Sequence, residues 1–203
     1  MKKTAIVCAV TIFTMFCGQA MAQESPWLVR VRAVDLEPAN QSDPVGGVGA
    51  GDRLSVEKKV IPEFDISYFF TPHLAAELVL TYPQKHQVYL DGGDIGSFKH
   101  LPPTLMAQYH FLPAAQIDPY LGLGVNYTHI SSVHLLNGAG DLDSNSTGLA
   151  LQAGLDYRID RHWSLNLDVK KVQIGSDVFI AGSKVSHVNI DPLMIGVGVG
   201  YRF

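Results

Sequence analysis

The chain has 203 residues, 47% hydrophobic and only 17% charged, a balance that excludes a disordered polyelectrolyte and fits one folded domain. The formal charge is −4 with His neutral, so nothing here attracts phosphate backbones and no nucleic-acid partner is expected. Lys2 and Lys3 lead an apolar stretch from Ala5 to Phe16, and Ala20-Met21-Ala22 then offers a small-x-small cleavage site. Residues 1–22 therefore read as a cleaved secretory signal and 23–203 as the mature domain. Removing the two lysines shifts the charge from −4 to −6, and losing Cys8 and Cys17 removes every thiol, which excludes disulfides. Thr14-Met15-Phe16 is bulkier than a lipidation signal at Cys17 carries. No mature segment supplies the run of about 18 apolar residues that a membrane helix requires.

Two-residue alternation organises the rest of the chain, and period 2 places alternate residues on opposite faces of a strand. Trp27, Val29, Val31 and Ala33 oppose Arg30 and Arg32; Val60, Phe64, Ile66 and Tyr68 oppose Glu63, Asp65 and Ser67. After a turn at Thr71-Pro72-His73, Leu74, Ala76, Leu78 and Leu80 oppose Glu77 and Thr81. Leu105, Ala107 and Tyr109 oppose Thr104 and Gln108, and Leu121, Leu123 and Val125 oppose Gly122, Gly124 and Asn126. Leu149, Leu151, Ala153, Leu155 and Tyr157 oppose Gln152 and Asp156; past Asp160-Arg161-His162, Trp163, Leu165 and Leu167 oppose Asn166, Asp168 and Lys170. Finally Ile195, Val197, Val199, Tyr201 and Phe203 oppose Gly196, Gly198 and Gly200. Eight strands follow.

Their connections alternate between short turns and long segments near 46–53, 86–99, 131–146 and 175–184, the arrangement of an outer-membrane barrel with short periplasmic turns and long extracellular loops. Aromatics gather at the short-turn ends of the apolar face, as an interfacial girdle does. Tyr201 and Phe203 end an apolar-alternating strand, the signal expected by the barrel-assembly machinery. Pro62, Pro83, Pro102, Pro103 and Pro192 sit against this reading unless they occupy bulged strand ends above the lipid. The predicted fold is an all-β, eight-stranded antiparallel transmembrane barrel.

The run His100-Leu101-Pro102-Pro103-Thr104-Leu105-Met106-Ala107-Gln108-Tyr109, the strand from Pro119 to Thr128 and the ending Gly200-Tyr201-Arg202-Phe203 resemble the OmpW family. Asp156-Tyr157 before Trp163, and Asp191-Pro192, are similar to it as well. The resemblance implies a Gram-negative outer-membrane barrel forming a narrow channel or binding site for small, mainly hydrophobic solutes. It equally leaves open a non-conducting barrel that serves as a colicin or phage receptor or in stress responses.

On the inward face, Arg30, Arg32, Glu63, Asp65, Glu77, Asp168 and Lys170 carry both signs. They can pair across a lumen that eight strands leave barely wide enough for side chains, or border a passage. Gly122, Gly124, Gly196 and Gly198 either relieve crowding or leave free volume, and Val79, Met106, Val172 and Met194 are apolar residues that could line a pocket or fill gaps. The long segments are apolar for exposed loops, with Leu54, Leu90, Ile95, Leu135, Val178 and Phe179, which suits either a hydrophobic vestibule or loop packing. His86, His100, His129, His134 and His187 show no metal-ligand spacing, and no cofactor or metal is expected. A rim-located enzyme using His134 with Asp141 is the weakest alternative, since no spacing indicates a triad.

Overall fold

The computed structural model describes residues 25–203; the segment read as a signal, with Cys8 and Cys17, lies outside the described residues. Its strands are β1 (Trp27–Glu37), β2 (Gln41–Ser42), β3 (Leu54–Val56), β4 (Lys59–Phe69), β5 (Leu74–Thr81), β6 (Gln84–Leu90), β7 (Gly93–Leu101) and β8 (Thr104–His110). They continue as β9 (Ile117–Leu135), β10 (Gly140–Leu142), β11 (Asn145–Arg158), β12 (Trp163–Val172), β13 (Gly175–Ile180), β14 (Ser183–Asn189) and β15 (Leu193–Arg202).

Eight of these close a barrel in the order β1-β4-β5-β8-β9-β11-β12-β15 and back to β1, every pair antiparallel. Closure leaves no unpaired edge for lipid to meet. The alternation read from the sequence sets the two faces: Arg30, Asp65, Glu77 and Asp168 are buried inside, while Val31, Leu123, Leu151 and Val197 stand 50–59% exposed outside. An apolar surface this continuous on a folded protein is a surface made for lipid. Edge-to-face aromatic pairs ring the short-turn end, with Trp27–Tyr68 at 4.9 Å, Trp163–Tyr201 at 5.0 Å and Tyr109–Phe111 at 5.1 Å between ring centres. From Ile117 to the outward Tyr127 is ten residue steps, which at about 3.3 Å each and a tilt of about 40° spans about 25 Å, the height of the lipid-facing band.

Above that band, the segments expected to be long loops are largely β-structure. A second tier runs β3-β6-β7-β9-β10-β13-β14-β2, using the upper half of β9. The wall returns to itself because β2 and β3 belong to one segment: Asp52 N–H donates to Ser42 O at 2.9 Å and Ser42 N–H to Asp52 Oδ1 at 3.0 Å. Of the four expected loop segments, 46–53 is the one with no strand residue, and it begins within a 3-10 turn at Val45–Gly47. In this tier the inner face mixes His86 and His100 with Val88 and Phe98, so the apolar period that marks the lower strands is broken. Gly96 sits at φ +135° with an added Cβ only 1.9 Å from His134 O, a close strand approach that requires glycine.

Of the five prolines noted in the sequence, Pro62 lies within β4, facing outward opposite Ala33 of β1 just above the last β4–β5 pair Glu63↔Thr81, and the other four mark the joints between tiers. Pro83 separates β5 from β6, Pro102 and Pro103 separate β7 from β8, and Pro192 separates β14 from β15. Lacking N–H groups, they cannot continue a ladder across the joint.

Candidate functional site

Parity along the strands puts polar residues into the lower lumen, and the barrel's stagger decides which of them meet. Arg30 reaches Asp156 with Nη2 at 2.6 Å and Nε at 3.2 Å, and its Nη1 lies 3.4 Å from Asp65 and 3.3 Å from Glu77. Arg32 donates Nε to Asn166 at 2.5 Å and approaches Glu63 at 2.8 Å, Asp65 at 2.7 Å and Glu77 at 3.2 Å. Lys170 bridges Glu63 at 2.6 Å and Asp168 at 2.8 Å. All seven residues of the expected charge set thus stand in one connected, buried network. Such charges are tolerable out of water only when paired and hydrogen-bonded.

Sequence reasoning left several members out. Asp156 takes the shortest Arg30 bond, and Tyr120 O–H donates to Asp168 at 2.7 Å beneath the Arg30 guanidinium, whose carbon is 5.4 Å from the ring centre. Gln152 donates to Glu77 at 2.9 Å and Asp168 at 2.7 Å, and His110 faces Asp118 at 2.9 Å. Their even-numbered positions already place Tyr120, Gln152 and Asp156 on the inward face, so parity was the signal available.

The glycine columns do not border free space. A Cβ on Gly124 would lie 2.3 Å from Leu105 O and 2.4 Å from Met106 Sδ, one on Gly122 would lie 2.5 Å from Gln152 Oε1, and one on Gly198 would lie 2.1 Å from Val31 O. Gly196 is looser, with Arg32 Cδ at 3.2 Å. Larger neighbours, Met106 and Gln152 among them, occupy what glycine gives up. Met106 therefore fills the lumen, while Val79, Val172 and Met194 form a buried layer immediately above the charges.

Above that layer the inner face becomes apolar. Leu54, Val56, Phe98, Leu135, Val178 and Val188 converge from five strands on one buried cluster continuous with Val79, Val172 and Met194. A cavity of about 30 Å³ lies within it, and another of about 20 Å³ lies between it and the charge network. By volume each takes a group the size of one or two waters. The lower cavity has Leu36, Val79, Val172, Ile174 and Met194 as its apolar wall and Glu63, Thr81, His100 and Lys170 at its polar edge. Glu63 Oε2, Thr81 Oγ1 and His100 Nδ1 are buried there without hydrogen-bond partners.

His100 stacks on His86 at 4.8 Å, and His86 Nδ1 lies 3.0 Å from Glu57 O. Burial, reinforced by the neighbouring His86 ring, pushes the His100 imidazole down to about 3, and burial lowers His86 as well. Both rings are therefore neutral at neutral pH. His134 Nδ1 contacts Ser132 O at 2.8 Å, and Asp141 Oδ1 accepts from the Leu142 N–H at 2.8 Å, so neither is seen paired with the other. Among the described residues, no three His, Cys, Asp or Glu stand together as a metal site. Tyr201 lies in the basal girdle, and Phe203 N–H donates to Trp27 O at 3.3 Å across the β1–β15 seam.

On the lipid side of the joint is an open hollow of about 560 Å³, lined by Leu78, Pro103, Leu105, Val125, Tyr127 and Leu149. The inner cavity is lined by Pro102 and the outer hollow by Pro103, with Asn126 common to both. The two concavities lie on opposite sides of one stretch of wall.

A polar-lumened, apolar-surfaced barrel with a β-structured upper tier has close counterparts. The chain is 43% identical over 186 residues to the uncharacterized outer-membrane protein y4mB of Sinorhizobium fredii, covering 88% of this chain and 80% of that one. It is 32% identical over 215 residues to outer membrane protein W of Escherichia coli, with all of both chains covered. The crystal structure of OprG from Pseudomonas aeruginosa matches with a TM-score of 0.78 at 27% identity, covering 89% of this chain and 97% of that one. The OmpW family model matches residues 23–203, and the chain belongs to the OmpW family of outer-membrane β-barrels.

Proposed function

We propose that the protein captures small, mainly hydrophobic molecules in its apolar upper tier and releases them sideways through the barrel wall into the membrane. The observation that carries this reading is the pair of concavities back to back across Pro102 and Pro103. A solute that enters from the extracellular side is surrounded by Phe98, Val178 and Val188, and burial of its apolar surface stabilises it by roughly 25 cal/mol per Å². Below it, the network around Arg32 and Glu77 opposes further descent, since an apolar solute there would have to displace buried, paired charges. The wall at the joint opposes it least, because Pro102 and Pro103 offer no N–H to the ladder and β8 pairs with β5 only up to Val79↔Thr104.

Uptake of radiolabelled toluene by cells carrying and lacking the protein tests the reading, together with planar-bilayer conductance of the purified barrel. Faster uptake without steady ion conductance is expected, and Pro102→Ala with Pro103→Ala should slow uptake by letting the ladder extend across the joint. Ion conductance without faster uptake would refute lateral release.

A further inference from the structure

The lower cavity is apolar around most of its wall, yet three buried polar atoms on its lining lack a partner: Glu63 Oε2, Thr81 Oγ1 and His100 Nδ1. Glu63 is 1% exposed and His100 3%, so bulk water does not satisfy them. A buried unpaired polar atom costs about as much as a lost hydrogen bond, so such atoms at one cavity call for an explanation. Packing alone does not supply one, because Glu63 Oε1 receives both Arg32 at 2.8 Å and Lys170 at 2.6 Å while Oε2 is left over.

We propose that this cavity is the seat for the neutral hydroxyl head of a small amphiphile, an alcohol or phenol, whose apolar body lies in the tier above. This rests on the capture reading and adds the chemistry of the captured molecule. The charge pattern selects a neutral group that donates. Glu63 Oε2 can only accept, so the head must donate a hydrogen bond, and Thr81 and the neutral His100 ring can take either role. A carboxylate head would meet the Glu63 carboxylate, and an ammonium head would meet the Lys170 ammonium, which also lines the cavity. A cavity of about 20 Å³ admits a hydroxyl-sized group and little more. Leu36 and Ile174, on the same wall, lead upward into the apolar cluster where the body would lie.

The test compares near-isosteric ligands on purified full-length protein in lipid nanodiscs, titrated by calorimetry against protein-free nanodiscs, using phenol, toluene, benzoate and benzylamine. Phenol should bind about tenfold tighter than toluene or better, the scale of one good hydrogen bond to a buried acceptor. Thr81→Val and His100→Phe, which keep shape and the stack on His86, should each lower that preference about twofold or more while leaving toluene affinity within about twofold, as expected when only a polar contact is lost. The His100 ring carbon resonances in histidine-labelled protein should move with phenol and not with benzoate. If phenol and toluene bind equally, the hydroxyl seat is wrong and apolar capture stands. If benzoate or benzylamine binds best, the head is charged and the proposal is overturned. If none binds, the capture reading itself has failed.

Discussion

Replacing Arg32 by methionine removes one charge and keeps most of the side-chain bulk, so it isolates what the lumen network contributes. Three buried cations, Arg30, Arg32 and Lys170, face five carboxylates, Glu63, Asp65, Glu77, Asp156 and Asp168. Arg32 alone serves three of the five, within 2.7–3.2 Å. The remaining cations are already engaged, Arg30 with Asp156 at 2.6 Å and Lys170 with Glu63 and Asp168 at 2.6 and 2.8 Å. Removing one partner of a buried pair costs about 3–5 kcal/mol, and a loss in that range is expected: Glu63 keeps Lys170, and Asp65 and Glu77 keep only the longer contacts to Arg30 at 3.4 and 3.3 Å, so five carboxylates are left to two cations. That is a large share of the roughly 5–15 kcal/mol by which folded domains are stable. Urea unfolding in lipid vesicles, followed by emission from Trp27 and Trp163 in the basal girdle, measures it. Adding Glu77→Gln to Arg32→Met should recover about 1 kcal/mol or more, because one uncompensated charge is gone and neighbouring sites couple. A loss under about 1 kcal/mol for Arg32→Met, or no recovery in the double variant, would refute a network held by charge pairing.

Two further outcomes follow from the same geometry. Gly124→Ala should destabilise the barrel by about 1–3 kcal/mol by overpacking, because the new methyl meets backbone Leu105 O at 2.3 Å, whereas Gly196→Ala, whose nearest neighbours are side-chain carbons of Arg32 and Val34 at 3.2 Å, should cost less; heat-modifiability on gels ranks the two. The upper tier should loosen in acid. His100, facing His86 on β6 and sharing its cavity with Glu63 and Lys170, stays neutral down to about 3, whereas in the unfolded chain it protonates near 6.5. The unfolded state therefore binds the extra proton between those values, and stability falls as pH drops through that window by up to about 1.4 kcal/mol per pH unit. Amide exchange in β6 and β7 at pH 7 and pH 4.5 reads this, and His100→Phe should remove that part of the slope; an unchanged slope would place the acid sensitivity elsewhere.

The lower barrel was legible in the sequence because its wall separates two unlike media, lipid outside and a polar lumen inside, so the outward apolar half of period 2 runs along every strand, while the inward half admits only a few apolar residues such as Val79 and Met106. Parity told which face Arg30 occupies but not that it meets Asp156, 126 positions away. That depends on strand stagger, which sequence alternation does not encode. The glycines were ambiguous for a related reason: a small inward residue looks like free volume until its neighbour's height is known, and Met106 proves to stand where Gly124 yields. The upper tier read as loops because its inner face alternates imidazoles and amides with valines. Gln84, His86 and Val88 form one inward row, which no apolar period marks.

The polarity of the molecule inverts at the proline joints. Below them Leu123 and Leu151 face outward and Glu77 and Lys170 inward; above them Lys85 and Lys99 face outward and Val88 and Phe98 inward. Each tier obeys the medium outside it, lipid below and water above. An apolar interior thus stacks directly on a charged one, and the two meet at the layer of Val79, Val172 and Met194. A solute favoured by the upper interior is disfavoured by the lower one, so the free-energy gradient along the barrel axis reverses at this layer. Across the wall, the lateral release proposed above would run from the apolar tier past Pro102 and Pro103 to the lipid-facing hollow, with Asn126 the polar side chain that lines both concavities. Along that proposed route a hydrophobic molecule would leave the barrel above the charge network, without displacing the paired charges of Arg32 and Glu77.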